Sequence, residues 1–202
     1  QPLLSRYDKH NREMKHVYGY MRGKKKKTEF ERYAMQCFPN FYERAMQVRS
    51  QLSENLYYKE HSGQTKDVCH GEYNYHNLLL TKSGLATTNF EHAAPGVQLL
   101  DMAYFMRKVM EKNKWQGEKG VVLWNGYCEG AGCSKKELEF LITILSYPIK
   151  YWKLLNQYIN SKKTWISNKS MEKLKAVCEQ EESKDKFLQQ MRTFTLGTSQ
   201  KA

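Results

Sequence analysis

Long apolar runs are missing from this sequence. No stretch approaches the roughly 20 consecutive apolar residues that a membrane-spanning helix needs, and no segment has the apolar core of a signal peptide. We therefore expect no membrane span. Apolar residues still make up 40% of the 202 residues and aromatic residues 13%, which is enough to build a packed domain and argues against disorder as the global state.

Cysteines are few, and they lack the spacing of a disulfide framework. The five lie at positions 37, 69, 128, 133 and 178, form no CxxC pair and leave an odd number. This pattern disfavours a secreted disulfide framework and favours a reducing compartment. A zinc site is a weaker alternative, because structural zinc sites usually show tighter paired spacing. Its candidate ligands are Cys69, His70, His76 and His92.

Acidic residues are outnumbered by basic ones. There are 21 Asp and Glu against 33 Lys and Arg, a formal net charge of +12. Such a balance suits anionic partners, but a solvated basic surface is the simpler interpretation. Residues 151–165 interleave lysines with aromatic residues, as single-strand binders do. Their apolar residues Trp152, Leu155, Tyr158 and Ile159 nevertheless recur at helical spacing, which favours a core-facing stripe. We therefore do not expect nucleic acid as a partner.

Helical periodicity organises the first third of the chain. A first helix ends with Gly23 as its C-cap, and its apolar face carries Met14, Val17, Tyr18 and Met21. Thr28 followed by Glu31 has the pattern of a capping box and predicts a second helix over residues 28–37. We expect Phe38-Pro39-Asn40 to break it, because proline lacks the amide donor. A third helix is expected from about residue 40 to 55, and the polar residues 59–67 indicate a loop.

The periodicity changes in the middle of the chain. Residues 77–90 predict two short strands joined at Ser83-Gly84, a compact β hairpin. Helical spacing then returns, first in a segment whose apolar residues are Val97, Leu100, Tyr104 and Val109. A further helix is expected over residues 117–128. Residues 134–159 indicate a helix pair or one helix kinked near Pro148, and residues 170–192 a final charged helix. The predicted fold class is mainly α with a small β hairpin (α+β).

The stretch Cys69–Glu91 has the spacing of a phosphoryl-transfer site. Protein-kinase-type loops place a base after a His-containing turn and a metal-binding Asn five positions later. Glu72 and Asn77 have this separation, and Asn89 stands where a second metal-binding acid is expected. Such a site needs one group that accepts or orients the proton of the nucleophile. It needs two others that hold Mg²⁺ across the phosphates.

Four motifs extend this pattern beyond a single loop. They are HGEYNYHNLLL, NFEHAAPGVQLLDMAYFMRKVMEKNKW, LSYPIKYWKLLNQYINSKKTWI and EKLKAVCEQEESKDKFL. The first is shared with many phosphotransferases, whereas the second and third are more specific. With them, the chain from about His10 to Leu188 resembles the C-terminal lobe of the CotS family of spore-coat proteins. The resemblance implies the helical C-terminal lobe of a protein-kinase-like, aminoglycoside phosphotransferase fold over residues 1–192, followed by a polar tail over residues 193–202.

The resemblance also implies roles for individual residues. Glu72 takes the place of the catalytic base, Asn77 that of an Mg²⁺-binding Asn, and Asn89 that of the second metal-binding Asp. His70 and Asn77 would bind the cofactor. Asp101 matches the buried acid of the phosphotransferase DLA motif, whose expected role is to brace the active loop through hydrogen bonds.

Two of these positions depart from the phosphotransferase pattern. Glu72 is one methylene longer than Asp, and a shift of ~1 Å at such a site can cost about 10²-fold in rate. Asn89 offers an oxygen but no charge to Mg²⁺, a hard cation usually held by carboxylates and phosphates. Glu91 is a substitute metal ligand if the strand continues that far, because its parity places it on the same strand face as Asn89.

No glycine-rich phosphate loop and no strand-borne lysine precede the helices. A complete kinase-like protein carries both on a small β lobe. We expect this N-terminal lobe either to have been removed with a missing N-terminus or to be absent from this polypeptide. Mg²⁺ and ATP are accordingly expected as cofactors of a full-length protein, and no cofactor is expected for this chain alone.

Two functions remain open. The expected one is a CotS-type spore-coat protein with a degenerate phosphotransferase site. It would act in coat assembly through other spore-coat proteins, and it would be made in the cytoplasm of a sporulating bacterium. The alternative is an active ATP- and Mg²⁺-dependent phosphotransferase, for a small molecule or a protein, when the full-length chain supplies the N-terminal lobe. Fold alone does not decide between them, because function lies in the site.

Overall fold

The computed structural model describes residues 2–63, 67–161 and 168–198, and helices dominate this part of the chain. The helices are α1 Leu3–Gly23, α2 Glu29–Glu54, α3 Leu56–His61, α4 Leu99–Lys112, α5 Gly117–Ala131, α6 Lys135–Ser146, α7 Ile149–Asn160, α8 Asn168–Glu179 and α9 Glu181–Thr198. The strands are β1 Val68–Cys69, β2 Leu78–Thr81, β3 Gly84–Thr87 and β4 Ala94–Pro95, and short 3₁₀ turns cover Tyr75–Asn77 and Phe90–His92. The predicted fold class is confirmed. None of the described helices is long and apolar enough to cross a membrane.

The chain divides into two compact units, one of residues 1–53 with 146–182 and one of residues 54–145 with 183–202. In the first unit, α1 packs against α7, and α7 packs against α8. Its fully buried side chains include Met14, Met21, Leu52, Tyr147 and Tyr151. The predicted apolar face of α1 is therefore largely confirmed, although Tyr18 is half-buried and Lys24, not Gly23, is the C-cap.

Helix α2 runs without a break through Pro39, so the predicted break at Phe38-Pro39-Asn40 is wrong. A proline inside a helix removes a hydrogen bond and costs about 3 kcal/mol. One apolar stripe continues across it and offsets this cost; its buried members are Phe30, Ala34, Phe38, Phe41, Ala45, Val48 and Leu52. Tyr151 of α7 contacts both sides of the proline. Its ring stacks on Phe41 with centroids 4.2 Å apart, and its hydroxyl donates to the Ala34 carbonyl at 2.6 Å.

The predicted capping box at the start of α2 is confirmed. The Thr28 amide donates to Glu31 Oε2 at 2.7 Å, and the Glu31 amide donates to Thr28 Oγ1 at 3.3 Å. Glu31 is completely buried, and its Oε1 accepts from Lys24 Nζ at 2.5 Å and from the Tyr158 hydroxyl. On α7, Trp152 donates to Glu13 Oε2 at 2.8 Å. Of the predicted stripe, Leu155 is buried and Trp152, Tyr158 and Ile159 are half-buried. Residues 162–165 of the segment that interleaves lysines with aromatic residues lie outside the described residues.

The second unit contains both strand pairs. Strands β2 and β3 are antiparallel, with Leu78 opposite Thr87 and Thr81 opposite Gly84, so the predicted hairpin is confirmed. Strands β1 and β4 are also antiparallel, and α4 packs against α5. The side chain of Phe187 on α9 lies so near the Gly120 backbone that a Cβ there would stand 2.2 Å from its ring.

Helix α4 buries a different face from the predicted one. Of the predicted set, Val97, which precedes the helix, is buried, but Leu100, Tyr104 and Val109 are half-buried. The buried apolar residues of the helix itself are Leu99, Met102, Ala103, Met106 and Met110. Both sets recur at helical spacing, so periodicity alone does not separate them. The hydrogen bonds of Asp101, described below, fix which way the start of the helix points.

Two further expectations need correction, and a third is confirmed. The loop predicted from residue 59 begins later, because Leu56–His61 forms α3, with the Asn55 side chain accepting from the Tyr58 amide at 2.9 Å; residues 64–66 lie outside the described residues. The single helix over 170–192 is two helices, separated at Gln180, and α9 continues to Thr198. Residues 134–159 form the helix pair α6 and α7, as one alternative predicted.

One disulfide is present, against the expectation of reduced cysteines. Cys128 near the end of α5 is bonded to Cys133 beyond it, with Cα atoms 5.0 Å apart. The spacing of five residues allows the bond because the helix ends between them, at Ala131. Cys37, Cys69 and Cys178 are not in disulfides.

Candidate functional site

A carboxylate at the start of α4 holds the turn that follows β1. Asp101 Oδ2 accepts from the His70 amide at 2.5 Å, and Asp101 Oδ1 accepts from the Gly71 amide at 3.0 Å. Asp101 lies in the first turn of α4, where the positive end of the helix dipole also favours a carboxylate. The hydrogen bonds are those that the sequence predicts, although the side chain is half-buried rather than buried.

Gly71 is required by the same turn. Its φ of +81° lies in the left-handed region that favours glycine. A Cβ at this position would lie 2.4 Å from the carbonyl oxygen of His92. The turn at residues 70–71 and the backbone at His92 therefore approach each other more closely than any other residue at position 71 allows.

The ring of His70 is committed to backbone partners on both sides. The Glu72 amide donates to His70 Nδ1 at 3.2 Å, so Nδ1 is the acceptor, and His70 Nε2 donates to the Thr88 carbonyl at 2.8 Å. Both ring nitrogens of His70 therefore form hydrogen bonds with the backbone, so neither is available for the cofactor-binding role expected of this residue. Its geometry instead ties the loop at Glu72 to the end of the hairpin.

Asn77 fixes the backbone beneath Glu72. Asn77 Nδ2 and Asn74 Nδ2 each donate to the Glu72 carbonyl at 2.9 Å. Asn77 is buried, and its amide oxygen is the atom that remains to act as a metal ligand. These two hydrogen bonds hold the backbone of Glu72 but not its carboxylate, and the side chain is 46% exposed. A base held only by its backbone is free to choose among rotamers.

Asn89 adopts a left-handed backbone at the end of the hairpin. Its φ and ψ are 69° and 56°, a conformation that Asn tolerates better than most residues. It follows Thr88, whose carbonyl accepts from His70 and whose amide donates to the Asn77 carbonyl at 2.9 Å. This backbone link brings the three sequence positions 72, 77 and 89 into one region. The Asn89 side chain is exposed and makes no capping hydrogen bond.

Glu91 does not lie on a strand, so the argument from strand parity is wrong. Strand β3 ends at Thr87, and Phe90–His92 form a 3₁₀ turn. The reason is the left-handed conformation of Asn89, which ends the extended backbone two residues before Glu91. Glu91 nevertheless lies close to the loop, because its carboxylate and that of Glu72 are both near the side chain of His92.

His92 connects the two carboxylates. His92 Nε2 lies 3.9 Å from Glu72 Oε1 and 3.8 Å from Glu91 Oε1. The three side chains are 46% to 68% exposed, so water screens the charges and each pair contributes little to stability. The sequence analysis names His92 only as a candidate zinc ligand. Its position between the two carboxylates depends on the close approach of Gly71 and the His92 backbone. Residue spacing does not reveal that approach.

The zinc alternative gains no support from the described residues. Across residues 2–63, 67–161 and 168–198, no three His, Cys, Asp or Glu side chains form a group that could hold a metal ion. The ring nitrogens of His70 face backbone atoms. Cys69 is buried, and burial, followed by the nearby Asp101, raises the pKa of its thiol to about 11. That disfavours the thiolate form in which cysteine binds zinc.

Structural comparison identifies the fold to which this loop belongs. The chain superimposes on the crystal structure of an aminoglycoside phosphotransferase from Alicyclobacillus acidocaldarius subsp. acidocaldarius DSM 446 with a TM-score of 0.83. The two are 18% identical, and the match covers 96% of this chain and 58% of that one. The fold is therefore that of an aminoglycoside phosphotransferase, and this chain spans 58% of the length of the related structure.

Sequence comparison identifies the family. No curated protein sequence matches the chain. The family model described as "Spore coat putative kinase YutH" matches residues 5–191, which is most of the 202 residues. The resemblance to CotS-type spore-coat proteins is thereby confirmed, and the chain belongs to this spore-coat kinase-like family.

Proposed function

We propose that this protein is a pseudokinase of the spore coat: its phosphotransferase site is degenerate, and it acts in coat assembly through contacts with other spore-coat proteins. The observation that supports this most directly is the neutral amide of Asn89, at the position where the phosphotransferase pattern has a metal-binding Asp. The family description supports the spore coat as its location. On this proposal the chain is made in the cytoplasm of a sporulating bacterium and then joins the coat.

The chemistry of phosphoryl transfer explains why an amide at this position matters. Catalysis depends on neutralising and positioning the phosphate charges, and Mg²⁺ does this only when it is held firmly. Asn77 is the residue that the pattern expects, but Asn89 would supply an amide oxygen to the ion where the pattern supplies a carboxylate. Glu72 would stand as the base, but its exposed carboxylate is longer than that of Asp and lacks a fixed position. The binding of ATP would also need the N-terminal lobe.

A specific contact supports a second candidate, an active phosphotransferase. The carboxylates of Glu72 and Glu91 both approach His92 Nε2, at 3.9 and 3.8 Å. Glu91 therefore lies close enough to the loop to supply the charge that Asn89 lacks. In that case Glu72 would be the base, with Asn77, Asn89 and Glu91 around Mg²⁺, in a full-length protein with its N-terminal lobe.

Nucleotide binding tests whether this chain by itself holds Mg²⁺·ATP, a result that would favour the enzyme. We expect residues 1–202 to show no saturable binding of Mg²⁺·ATP by calorimetry up to millimolar nucleotide. A salt titration identifies nonspecific attraction to the basic surface, because that attraction weakens as ionic strength rises. Saturable binding that is insensitive to salt and lost in Glu91→Ala would replace the pseudokinase with the enzyme.

The double variant Glu72→Asp with Asn89→Asp supplies a test that needs no nucleotide and therefore no N-terminal lobe. It shortens the carboxylate at position 72 and adds one at position 89, so we expect it to bind Mn²⁺, used as a paramagnetic substitute for Mg²⁺, at least about tenfold more tightly than the wild type, a difference of about 1.4 kcal/mol. Line broadening of the Thr88 and His92 resonances is the measurement. Equal Mn²⁺ affinity in the two proteins would mean that the amide of Asn89 is not what weakens the site.

Coat assembly is tested in spores. Glu72→Gln removes the acid at the base position but keeps the size of the side chain. Substitutions of exposed side chains rarely disturb folding. We therefore expect the variant to enter the coat at a level within about 20% of the wild type. Coat protein profiles of wild-type, Glu72→Gln and deletion strains give the comparison. A Glu72→Gln strain that resembles the deletion strain would show that the chemistry is needed.

A further inference from the structure

Two cysteines far apart in the sequence meet in the first unit. Cys37 lies in α2 and Cys178 lies near the end of α8, 141 residues later, and their Sγ atoms are 2.8 Å apart. Both residues are half-buried, so small molecules in solvent can reach them. The two thiols are closer than ordinary nonbonded contact between sulfur atoms. A bond of about 2.05 Å between them needs a movement of less than about 1 Å.

Helix α8 packs against α7 of the first unit but buries few side chains of its own. Leu174 is the one buried side chain among the residues of this helix, Asn168–Glu179. The Lys175 ammonium lies 3.4 Å from Glu29 Oε1 of α2, but both side chains are largely exposed, so this ion pair adds little. A helix of 12 residues is marginal by itself in water. A covalent link at position 178 would therefore change how firmly α8 is held.

We propose that Cys37 and Cys178 are an oxidisable pair whose disulfide fastens α8 to α2. The oxidant is a low-molecular-weight disulfide. The Cys37 thiolate attacks one sulfur of that disulfide, which forms a mixed disulfide at Cys37 and releases one small thiolate. The Cys178 thiolate then attacks Cys37 Sγ and releases the second small thiolate. Two protein thiols lose two protons and two electrons, and the small disulfide becomes two thiols.

The surroundings of Cys178 support its place as the second thiol. Burial, and next the hydrogen bond with Cys37, raise the pKa of the Cys178 thiol, so this thiolate forms less readily in solution. Once Cys37 carries a mixed disulfide, Cys178 Sγ already lies beside the sulfur that it must attack. Cys69 offers the contrast: it is buried, and its Sγ would lie 2.9 Å from a Cβ at Gly96, so backbone covers it.

The disulfide would close a long loop of chain. Cross-links that close long loops stabilise chiefly by restricting the unfolded chain. For a chain of this length we expect oxidation to raise the melting temperature by about 5–15 °C. Amide exchange in α8 is expected to slow in parallel, because the helix can no longer leave α2.

The experiment uses the full chain with Cys128→Ser and Cys133→Ser, which removes the existing disulfide. The protein is reduced and then incubated with oxidised glutathione. We expect a mass loss of about 2 Da, a cross-linked peptide pair containing positions 37 and 178, and the rise in melting temperature, reversed by reductant. Adding Cys69→Ser is expected to leave the cross-link in place. Adding Cys37→Ser or Cys178→Ser is expected to abolish both the cross-link and the thermal shift.

Three results would overturn the proposal. One is glutathione adducts at both cysteines with no intramolecular link. Another is a link between two chains, seen as a dimer on a nonreducing gel. The third is a Cys37–Cys178 link that leaves the melting temperature unchanged, which would mean that α8 is already held as firmly without it. Peptide mapping of the oxidised wild type needs no substitution, so a variant that folds poorly does not remove the test for the Cys37–Cys178 link.

Discussion

Replacing Asp101 with alanine is expected to lower the free energy of unfolding by about 2–4 kcal/mol. Its two carboxylate oxygens accept from the His70 and Gly71 amides, and hydrogen bonds to a charged group are worth about 1.5–3 kcal/mol each. The half-buried position of Asp101 reduces the total. For a chain of about 200 residues, the melting temperature should fall by roughly 5–15 °C. Thermal and urea unfolding both measure this loss.

Two further variants make the Asp101 result specific. Asp101→Asn keeps one acceptor oxygen but loses the charge, so its loss should lie between those of the wild type and the alanine variant. Glu129→Ala, which removes an exposed acid from α5 in the same unit, should stay within about 0.5 kcal/mol of the wild type. If Asp101→Ala also stays within that range, the carboxylate does not brace the loop.

The contacts of Asp101 were accessible from the sequence for a physical reason. An acid in an otherwise apolar helix start needs partners, and backbone amides of a neighbouring turn are the nearest donors available to it. The hairpin was accessible for the same kind of reason, because Ser83-Gly84 between two apolar runs allows few other structures. In both cases, the residues from which the structure is predicted lie close together in the sequence or belong to a known motif.

The continuous helix through Pro39 was not accessible in this way. Local propensity favours a break, and tertiary packing opposes it: the apolar stripe of α2 is buried on both sides of Pro39, and Tyr151, more than 100 residues away, stacks on Phe41 and donates to the Ala34 carbonyl. The phase of α4 is a similar case, since two faces of that helix are apolar and a distant turn selects one. Tertiary packing overrides propensity where the partner is remote in sequence.

The site shows the same division. Glu72, Asn77 and Asn89 follow from spacing, and the backbone links through His70 and Thr88 bring those positions together. The 3₁₀ turn at Phe90–His92 does not follow from spacing, because it depends on the left-handed backbone of Asn89. His92 was therefore missed as the residue between Glu72 and Glu91. The Cys37 and Cys178 contact was missed because pairing of distant cysteines depends on the fold.

The second large effect, a dependence of stability on pH, is expected from a buried histidine in the first unit. His10 is 6% exposed and stacks on Trp152 with centroids 3.5 Å apart. Its Nδ1 atom is buried and has no hydrogen-bond partner. Burial, followed by the positive charges of Arg6, Lys9 and Lys153, lowers the pKa of His10 from 6.5 to about 4. The nearby Glu13 accepts from Trp152 and does not reverse the direction.

We expect this histidine to make stability depend on pH between about 4 and 6.5. In that range the unfolded chain binds a proton at position 10 that the folded chain does not, so stability rises with pH. The contribution is fully present above pH 6.5 and is lost as pH falls towards 4, by up to about 3 kcal/mol. Urea unfolding at half-unit steps from pH 4 to 8 gives the curve. His10→Phe keeps an aromatic ring against Trp152 but cannot titrate. The difference between wild type and variant isolates His10 from the other five histidines. Parallel curves would contradict the prediction, because they would show that His10 binds protons equally in the folded and the unfolded chain.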